Sequence, residues 1–319
     1  MICWPRTDSL PTASLRLWRR GAVAPAAVVE IIVTGAGGFS GSYLVATLLA
    51  RGHKVTAVVG RSLGRLDPAV DCNPSLTVVA GDLAGTLPLP ARIDAIVHAA
   101  ARSPAPGVRD ADMVRDNVTA TTRLIDYACE ACATTFIYLS SLSIYGDIAG
   151  PVVDETTAIV NPNVYGVTKY EGETMLREAP LRSLSIRLPG VIGRGSVRNW
   201  LTGVLTTAKQ GRTITLYGPN NKFNNAIHIN DLCRFVADLV KHTTWRGHDA
   251  VTVGAAGMTT VRRAAETIIQ TMGSRSPIEI KEARKPGFTI SIDRARSVYG
   301  YAPMDIDSTI RQFATENRD

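Results

Sequence analysis

The sequence predicts an α/β protein: a doubly wound, mostly parallel sheet followed by a smaller C-terminal lobe. Three observations carry this. A short β-branched run, Ile31-Ile32-Val33-Thr34, leads into a glycine-rich turn and then into a helical pattern of apolar residues. Further apolar runs recur at about 54–59, 76–80, 94–98, 135–140 and 183–188, separated by longer periodic segments. Such alternation favours parallel strands with helices on both faces. The conspicuous small and polar residues fall at the carboxyl ends of these runs, where an open parallel sheet places its ligand.

The first strand ends in Gly35, Gly38 and Gly41, spaced Gly-x-x-Gly-x-x-Gly. Position 40 is Ser, so the spacing departs from the Gly-x-Gly-x-x-Gly fingerprint. Glycines there permit unusual backbone angles and close approach of the chain to a pyrophosphate. The helix that follows, patterned by Tyr43, Leu44, Ala46, Leu48 and Leu49, would offer free N–H groups and a positive dipole end. Later ends carry Gly60-Arg61, Gly81-Asp82-Leu83, His98-Ala99-Ala100 and Ser140-Ser141. A helix over about 111–132 carries Asn117.

In the run Val164-Tyr165-Gly166-Val167-Thr168-Lys169 the tyrosine and lysine are four residues apart. On a helix this puts phenol and ammonium on one face. A fixed positive charge there favours the phenolate and lowers its pKa towards working pH. The same pair is common on solvated helices, but the upstream glycine turn and serine pair give it a context in which protons are moved. Beyond about 189 the pattern changes, with loop-rich segments at 193–199 and 217–225 and helices near 200–210 and 231–241.

A hydrophobic content of 45% and a charged content of 20% are those of a globular protein. Of the formal charge of +7, Arg6, Arg16, Arg19 and Arg20 against Asp8 supply +3 within the first 29 residues, leaving +4 for the rest. With no dense basic run interleaved with aromatics, nucleic-acid binding is not indicated. No stretch reaches transmembrane length. Arg19-Arg20 ahead of the apolar run 22–29 imitates an export signal, but that run flows straight into the first strand. Residues 1–28 are therefore read as a disordered or mis-assigned extension, with a start near Val28 or Val29. Cysteines stand at 3, 72, 129, 132 and 233. Cys129 and Cys132 lack a second pair for zinc, so they are read as buried thiols of a protein in a reducing cytoplasm. No metal site is predicted, because His98 has no partner at ligand spacing.

Thr34-Gly35-Ala36-Gly37-Gly38-Phe39-Ser40-Gly41, Gly81-Asp82-Leu83, His98-Ala99-Ala100, Asn117, Ser140-Ser141-Leu142-Ser143-Ile144-Tyr145-Gly146, the Tyr165/Lys169 pair, Arg187-Leu188-Pro189 and His228-Ile229-Asn230-Asp231-Leu232 succeed one another along the chain. In these motifs and their order the chain resembles the extended short-chain dehydrogenase/reductase family, also called the NAD-dependent epimerase/dehydratase family, from about residue 29 to 310. The resemblance implies a Rossmann-type fold, with a dinucleotide-binding domain at 29–188 and mainly a substrate-binding lobe at 189–319. It makes Tyr165 the general acid/base, has Lys169 tune it and bond the nicotinamide ribose, and has Ser141 bond the reacting oxygen. Ser141 is chosen because it lies five residues before Gly146; Ser140 and Ser143 are left with local side-chain to backbone bonds. Implied cofactor contacts are Gly35, Gly38, Phe39, Gly41, Arg61, Asp82, Leu83, Ala99, Lys169 and Pro189. Asn117 supports either a relay water or a helix-to-loop hydrogen bond.

Four departures from the family pattern shape the functional reading. Dehydrating members carry an Asp-Glu pair after the catalytic hydroxyl; here Leu142 and Ser143 stand there, which argues against dehydration. Gly60 and Arg61 replace the acid that bonds a ribose 2′-OH, which favours NADP(H) with NAD(H) as the alternative. Gly190 stands where sugar-nucleotide enzymes often carry Asn. Phe223-Asn224-Asn225-Ala226-Ile227 lacks their arginine for the diphosphate, leaving Lys222, Arg194 and Arg198 as substitutes or as solvated charges. The leading expectation is an NADP(H)-dependent reductase or dehydrogenase of a nucleotide-activated sugar in surface polysaccharide synthesis. The alternatives are an NAD-dependent nucleotide-sugar epimerase, a steroid- or flavonoid-type reductase, and a non-enzymatic dinucleotide sensor. The small-molecule substrate is the expected partner, with a homodimer left open.

Overall fold

A computed structural model of the chain describes residues 28–60, 63–66, 73–241, 244–282 and 286–318. Arg61, Cys3, Cys72 and residues 1–27 of the expected extension lie outside the described residues. Seven strands form one parallel sheet: β1 (Glu30–Thr34), β2 (Lys54–Val59), β3 (Leu76–Ala80), β4 (Ala95–His98), β5 (Thr135–Ser141), β6 (Ser183–Leu188) and β7 (His248–Thr252), in the order β7-β6-β5-β4-β1-β2-β3. The chain runs from β1 outward to β3, then returns to β4 on the other side of β1. The crevice between β1 and β4 is the switch point of a doubly wound sheet.

The continuous apolar runs are explained by burial of both sheet faces. Ile31, Val33, Val97, Ile137 and Ile186 point to one face, against Leu44 and Leu48 of α1 (Phe39–Ala50). Ile32, Val58, Ile96 and Phe136 point to the other, against Leu124 and Ala128. Those two belong to a long helix made of α2 (Asp110–Val114), a π-helical turn Arg115–Thr119 and α3 (Ala120–Glu130). Helix α4 (Val164–Glu178) contributes Leu176 to the same side.

After β6 come α5 (Trp200–Lys209), α6 (Ile229–Leu239), α7 (Val261–Met272), α8 (Asp293–Tyr299) and α9 (Ile306–Glu316). Leu201, Val204, Ile214, Ala264, Ile268 and Phe313 form a second core there. However, α6 packs Leu232 and Val236 into the first core, and β7 completes the large sheet beside β6. The chain thus crosses the expected division at 188. Strand β7 has no strong sequence signal, because His248 and Asp249 occupy its first two positions.

One expectation is corrected here: Cys129 and Cys132 are exposed, not buried. Helix α3 turns Leu124, Ile125 and Ala128 inward, which leaves Cys129 outside, and Cys132 lies beyond the helix end at φ 56°. Burial, then the carboxylates of Asp126 and Glu130, push the Cys129 thiol up. Cys233 is buried. Among the described residues no helix is long and apolar enough to cross a membrane.

Helix α4 lies unusually close to its neighbours. A Cβ at Gly166 would stand 2.1 Å from Ser143 O, and one at Gly172 would stand 2.5 Å from the Tyr138 hydroxyl. Helix propensity alone would make Gly→Ala stabilising by about 0.5–1 kcal/mol. Gly166→Ala should instead destabilise the protein by about 1–3 kcal/mol through overpacking, read as a lower urea midpoint at unchanged m-value.

Candidate active site

Gly35, Asp82, Ala99, Ser141 and Pro189 lie at or just after the carboxyl ends of β1, β3, β4, β5 and β6. Gly35, at φ 66°, follows β1 and touches the chain after β4: a Cβ there would lie 2.7 Å from Ala100 Cα. Gly38 N–H donates to Gly35 O (2.9 Å), closing the turn. At Gly41, in the first turn of α1, a Cβ would meet Gly35 O at 2.1 Å, so this glycine lets the helix seat on the turn. Gly38 caps α1 with no side-chain hydrogen bond. The helix start therefore presents first-turn N–H groups and a positive dipole end, with no side-chain oxygen bonded to them. This cradle fits a dinucleotide pyrophosphate.

Phe39 opens α1 with its ring edge-on to Tyr43, and Arg65 stacks over it at 5.6 Å. Arg65 escaped the sequence reading, which looked only at the strand end. Gly64, at φ 62°, allows the 63–66 segment to return to the turn, where Arg65 N–H donates to Gly37 O (3.0 Å) and its guanidinium to Gly195 O (2.6 Å). After β3, exposed Asp82 accepts the Ala84 N–H in a local turn, and Leu83 is half-buried against the Ile32–Ile96 core. Ala99 is half-buried after β4, and Pro189 after β6.

The loop after β4 is fixed by buried polar side chains. Asn117, in the π-helical turn, accepts the Arg102 N–H (2.7 Å) and donates to Arg102 O (3.1 Å) and Thr168 Oγ1 (3.0 Å). Its observed bonds are thus helix-to-loop and helix-to-helix. π-turns often mark functional sites because the extra residue re-aims a side chain. His98 has both ring nitrogens engaged, with Thr34 Oγ1 at 2.7 Å and Thr121 Oγ1 at 3.1 Å. Burial, aided by the charge of Lys169, pushes its pKa down to about 3, so the ring is neutral.

Tyr165 and Lys169 lie one turn apart on α4, whose start is capped by Asn163. Lys169 is only 2% exposed; its Nζ donates to Leu139 O (2.8 Å) and sits 4.5 Å from the centre of the Tyr138 ring. The expected lowering of the Tyr165 pKa is corrected. Burial pushes this phenol up, opposed by a hydrogen bond from the Ser103 side chain. Burial also draws Lys169 down to about 7, opposed by the carboxylate of Glu173. Desolvation is the largest cause for both groups, because burial disfavours the charged form of each.

Ser141 ends β5 beside Leu188, caps the turn Leu142–Tyr145 and accepts the Ser143 N–H (3.1 Å). Its neighbour does not follow the local-bond expectation: Ser140 is buried and donates to Glu173 Oε1 at 2.6 Å. Arg187, on β6, clasps the same carboxylate through Nε and Nη2 and reaches the Tyr145 hydroxyl with Nη1 (2.8 Å).

On the lobe side, Gly190–Ile192 pairs in parallel with Ala226–His228. Asn224 is buried and spent on backbone, accepting Ile290 N–H and donating to Ile290 O, each at 2.8 Å. His228 caps α6 by accepting the Asn230 N–H, and Asp231 accepts the Met304 N–H. These motif residues hold the lobe together. Lys222, Arg194 and Arg198 are exposed, and Trp200 packs edge-on to Phe223 at the surface.

The model of the NAD dependent epimerase/dehydratase family matches residues 31–254. The chain therefore belongs to that family and is an enzyme of the extended short-chain dehydrogenase/reductase type. It is 25% identical over 310 residues to a UDP-glucose 4-epimerase of Azospirillum brasilense, covering 87% of this chain and 88% of that one. It is 31% identical over 226 residues to a 3-beta-hydroxysteroid dehydrogenase of Mycolicibacterium neoaurum, covering 65% and 60%. The structure of MoeE5 in complex with UDP-glucuronic acid and NAD superposes with a TM-score of 0.72 at 26% identity, over 91% of this chain and 97% of that one.

Because Asn117 carries three bonds that join the β4 loop to α4, Asn117→Ala should cost about 1–3 kcal/mol through unpaired buried groups. Chemical denaturation measures the loss, and faster hydrogen exchange at the Arg102 amide should accompany it.

Proposed function

We propose that the chain is a nucleotide-sugar epimerase that keeps NAD bound through its cycle. The observation that carries this is a carboxyl-edge site with Ser141, Tyr165 and Lys169 but with Leu142 and Ser143 in place of an acid/base pair. Such a set manages one proton at one carbon, which suits reversible alcohol-to-ketone interconversion and not elimination of water. The likeness to the UDP-glucose 4-epimerase along nearly the whole chain supports the substrate class, and the NAD of the MoeE5 complex supports the cofactor.

When bound, the dinucleotide supplies the hydride acceptor and donor. Gly35, Gly38 and Gly41 would hold its pyrophosphate at the start of α1, and Asp82, Leu83, Ala99 and Pro189, after β3, β4 and β6, would contact the rest of it. Ser141 Oγ holds the reacting oxygen and is worth most as negative charge builds there. The Tyr165 phenolate takes the hydroxyl proton during oxidation, and the phenol returns it during reduction. Lys169, as the ammonium, favours the phenolate and so serves the oxidising half.

A second reading, an NADP(H)-dependent reductase or dehydrogenase, is favoured by Gly60-Arg61 and by Asn224. In the stretch where sugar-nucleotide enzymes often carry an arginine for the diphosphate, this side chain is committed to Ile290. The hydroxysteroid dehydrogenase relative extends that reading to a substrate without phosphate.

Two measurements separate the readings. The epimerase should interconvert a UDP-hexose and its 4-epimer with no net change at the nicotinamide band, and Tyr165→Phe should lower turnover about 10²–10⁴-fold with cofactor binding intact. Net consumption of free NADPH, with no epimer formed, would establish the reductase. In that case Arg61→Ala should weaken NADPH binding by about 1.5–3 kcal/mol and leave NADH unchanged, as read by fluorescence titration.

A further inference from the structure

Glu173 escaped the sequence reading. It stands one turn beyond Lys169 on α4, so Tyr165, Lys169 and Glu173 repeat at every fourth position on one helical face. Its side chain is 0% exposed. Two strand ends converge on its carboxylate. Ser140 donates from the end of β5, the residue next to Ser141. Arg187 donates twice from the end of β6, two residues before Pro189. Arg187 also carries the network outward to Tyr145 and to Glu155 O. A buried ion pair of this kind contributes little net stability against apolar residues of the same size, so its presence at the site calls for a positional or electrostatic use.

We propose that Glu173 is a positioning residue of the active site: its clamped carboxylate ties the Ser141 strand end to α4 and keeps the neighbouring Lys169 in place and charged. The inference rests on the assignment of Lys169 to the site. Burial alone would strip the proton from this lysine. Neutral His98 from β4 and the Tyr138 ring from β5 lie beside it, Tyr165 is one turn back on its own helix, and Arg187 from β6 is the cation paired with Glu173. Glu173 supplies the anionic field that opposes the desolvation. With it, the ammonium persists to higher pH and continues to support the phenolate of Tyr165.

Lysine Cε NMR tests this without any substrate. The sequence has seven lysines, so the Lys169 signal is resolvable, and its loss in Lys169→Met assigns it. Glu173→Gln should lower the Lys169 titration midpoint by at least about one pH unit, a tenfold loss of proton affinity. The alkaline limb of turnover should move down with it, with kcat reduced and KM for substrate nearly unchanged. The double variant Glu173→Gln/Arg187→Gln removes the Arg187 cation together with its carboxylate partner and should shift the midpoint in the same direction by less. Glu173→Asp restores the charge with a shorter reach, and should return the midpoint while kcat stays low. A midpoint that is unmoved or raised in either Gln variant, or one that falls equally in the Asp variant, overturns the proposal. Absence of turnover on every sugar or steroid would count against the proposed reaction and would leave the lysine titration readable.

Discussion

The close seating of α4 on β5 and on the turn after it is the constraint on which the site depends. With Gly166 against Ser143 O and Gly172 against Tyr138, the helix axis approaches the sheet edge more closely than any side chain would allow. Only at that distance can Lys169 reach Leu139 O and Glu173 reach Ser140. The glycines weaken the helix in isolation, and tertiary packing makes good the loss. The same economy recurs at α1, where Gly41 lets the helix start lie on Gly35.

The wall behind the site is polar although it is buried. His98, Asn117, Lys169, Glu173 and Arg187 are all withdrawn from solvent, and each is held by specific partners. A buried polar group without partners is costly, so these networks fix one arrangement: His98 joins β1 to α3, Asn117 joins the β4 loop to α4, and Glu173 joins α4 to β5 and β6. The carboxyl edge of the sheet is thereby set by hydrogen bonds between segments far apart in sequence, and less by the loops that carry the residues. Desolvation is the cost of that rigidity, visible in the depressed Lys169 and the raised Tyr165.

The lobe departs from the sheet in character. Asn224, in the stretch that lacks the family's arginine, stitches the strand region to Ile290, and the candidate cations Lys222, Arg194 and Arg198 are exposed. Trp200 packs edge-on to Phe223 at the surface, whereas the dinucleotide side keeps the glycine turn and departs from the family at Gly60-Arg61.

The sequence by itself determined the six strands from β1 to β6, the glycine turn and the Tyr165/Lys169 face, because each rests on local periodicity, backbone freedom or spacing within one element. It did not determine the seventh strand, whose polar start is tolerated only because β6 supplies a ready edge. It placed Cys129 and Cys132 in the core because composition does not say which face of α3 turns inward. It set Tyr165 low and missed Arg65 and Glu173, since desolvation and pairing depend on what the rest of the chain brings alongside. Tertiary structure alone decided these, because burial and electrostatics are properties of the assembled neighbourhood and spacing along the chain carries no measure of them.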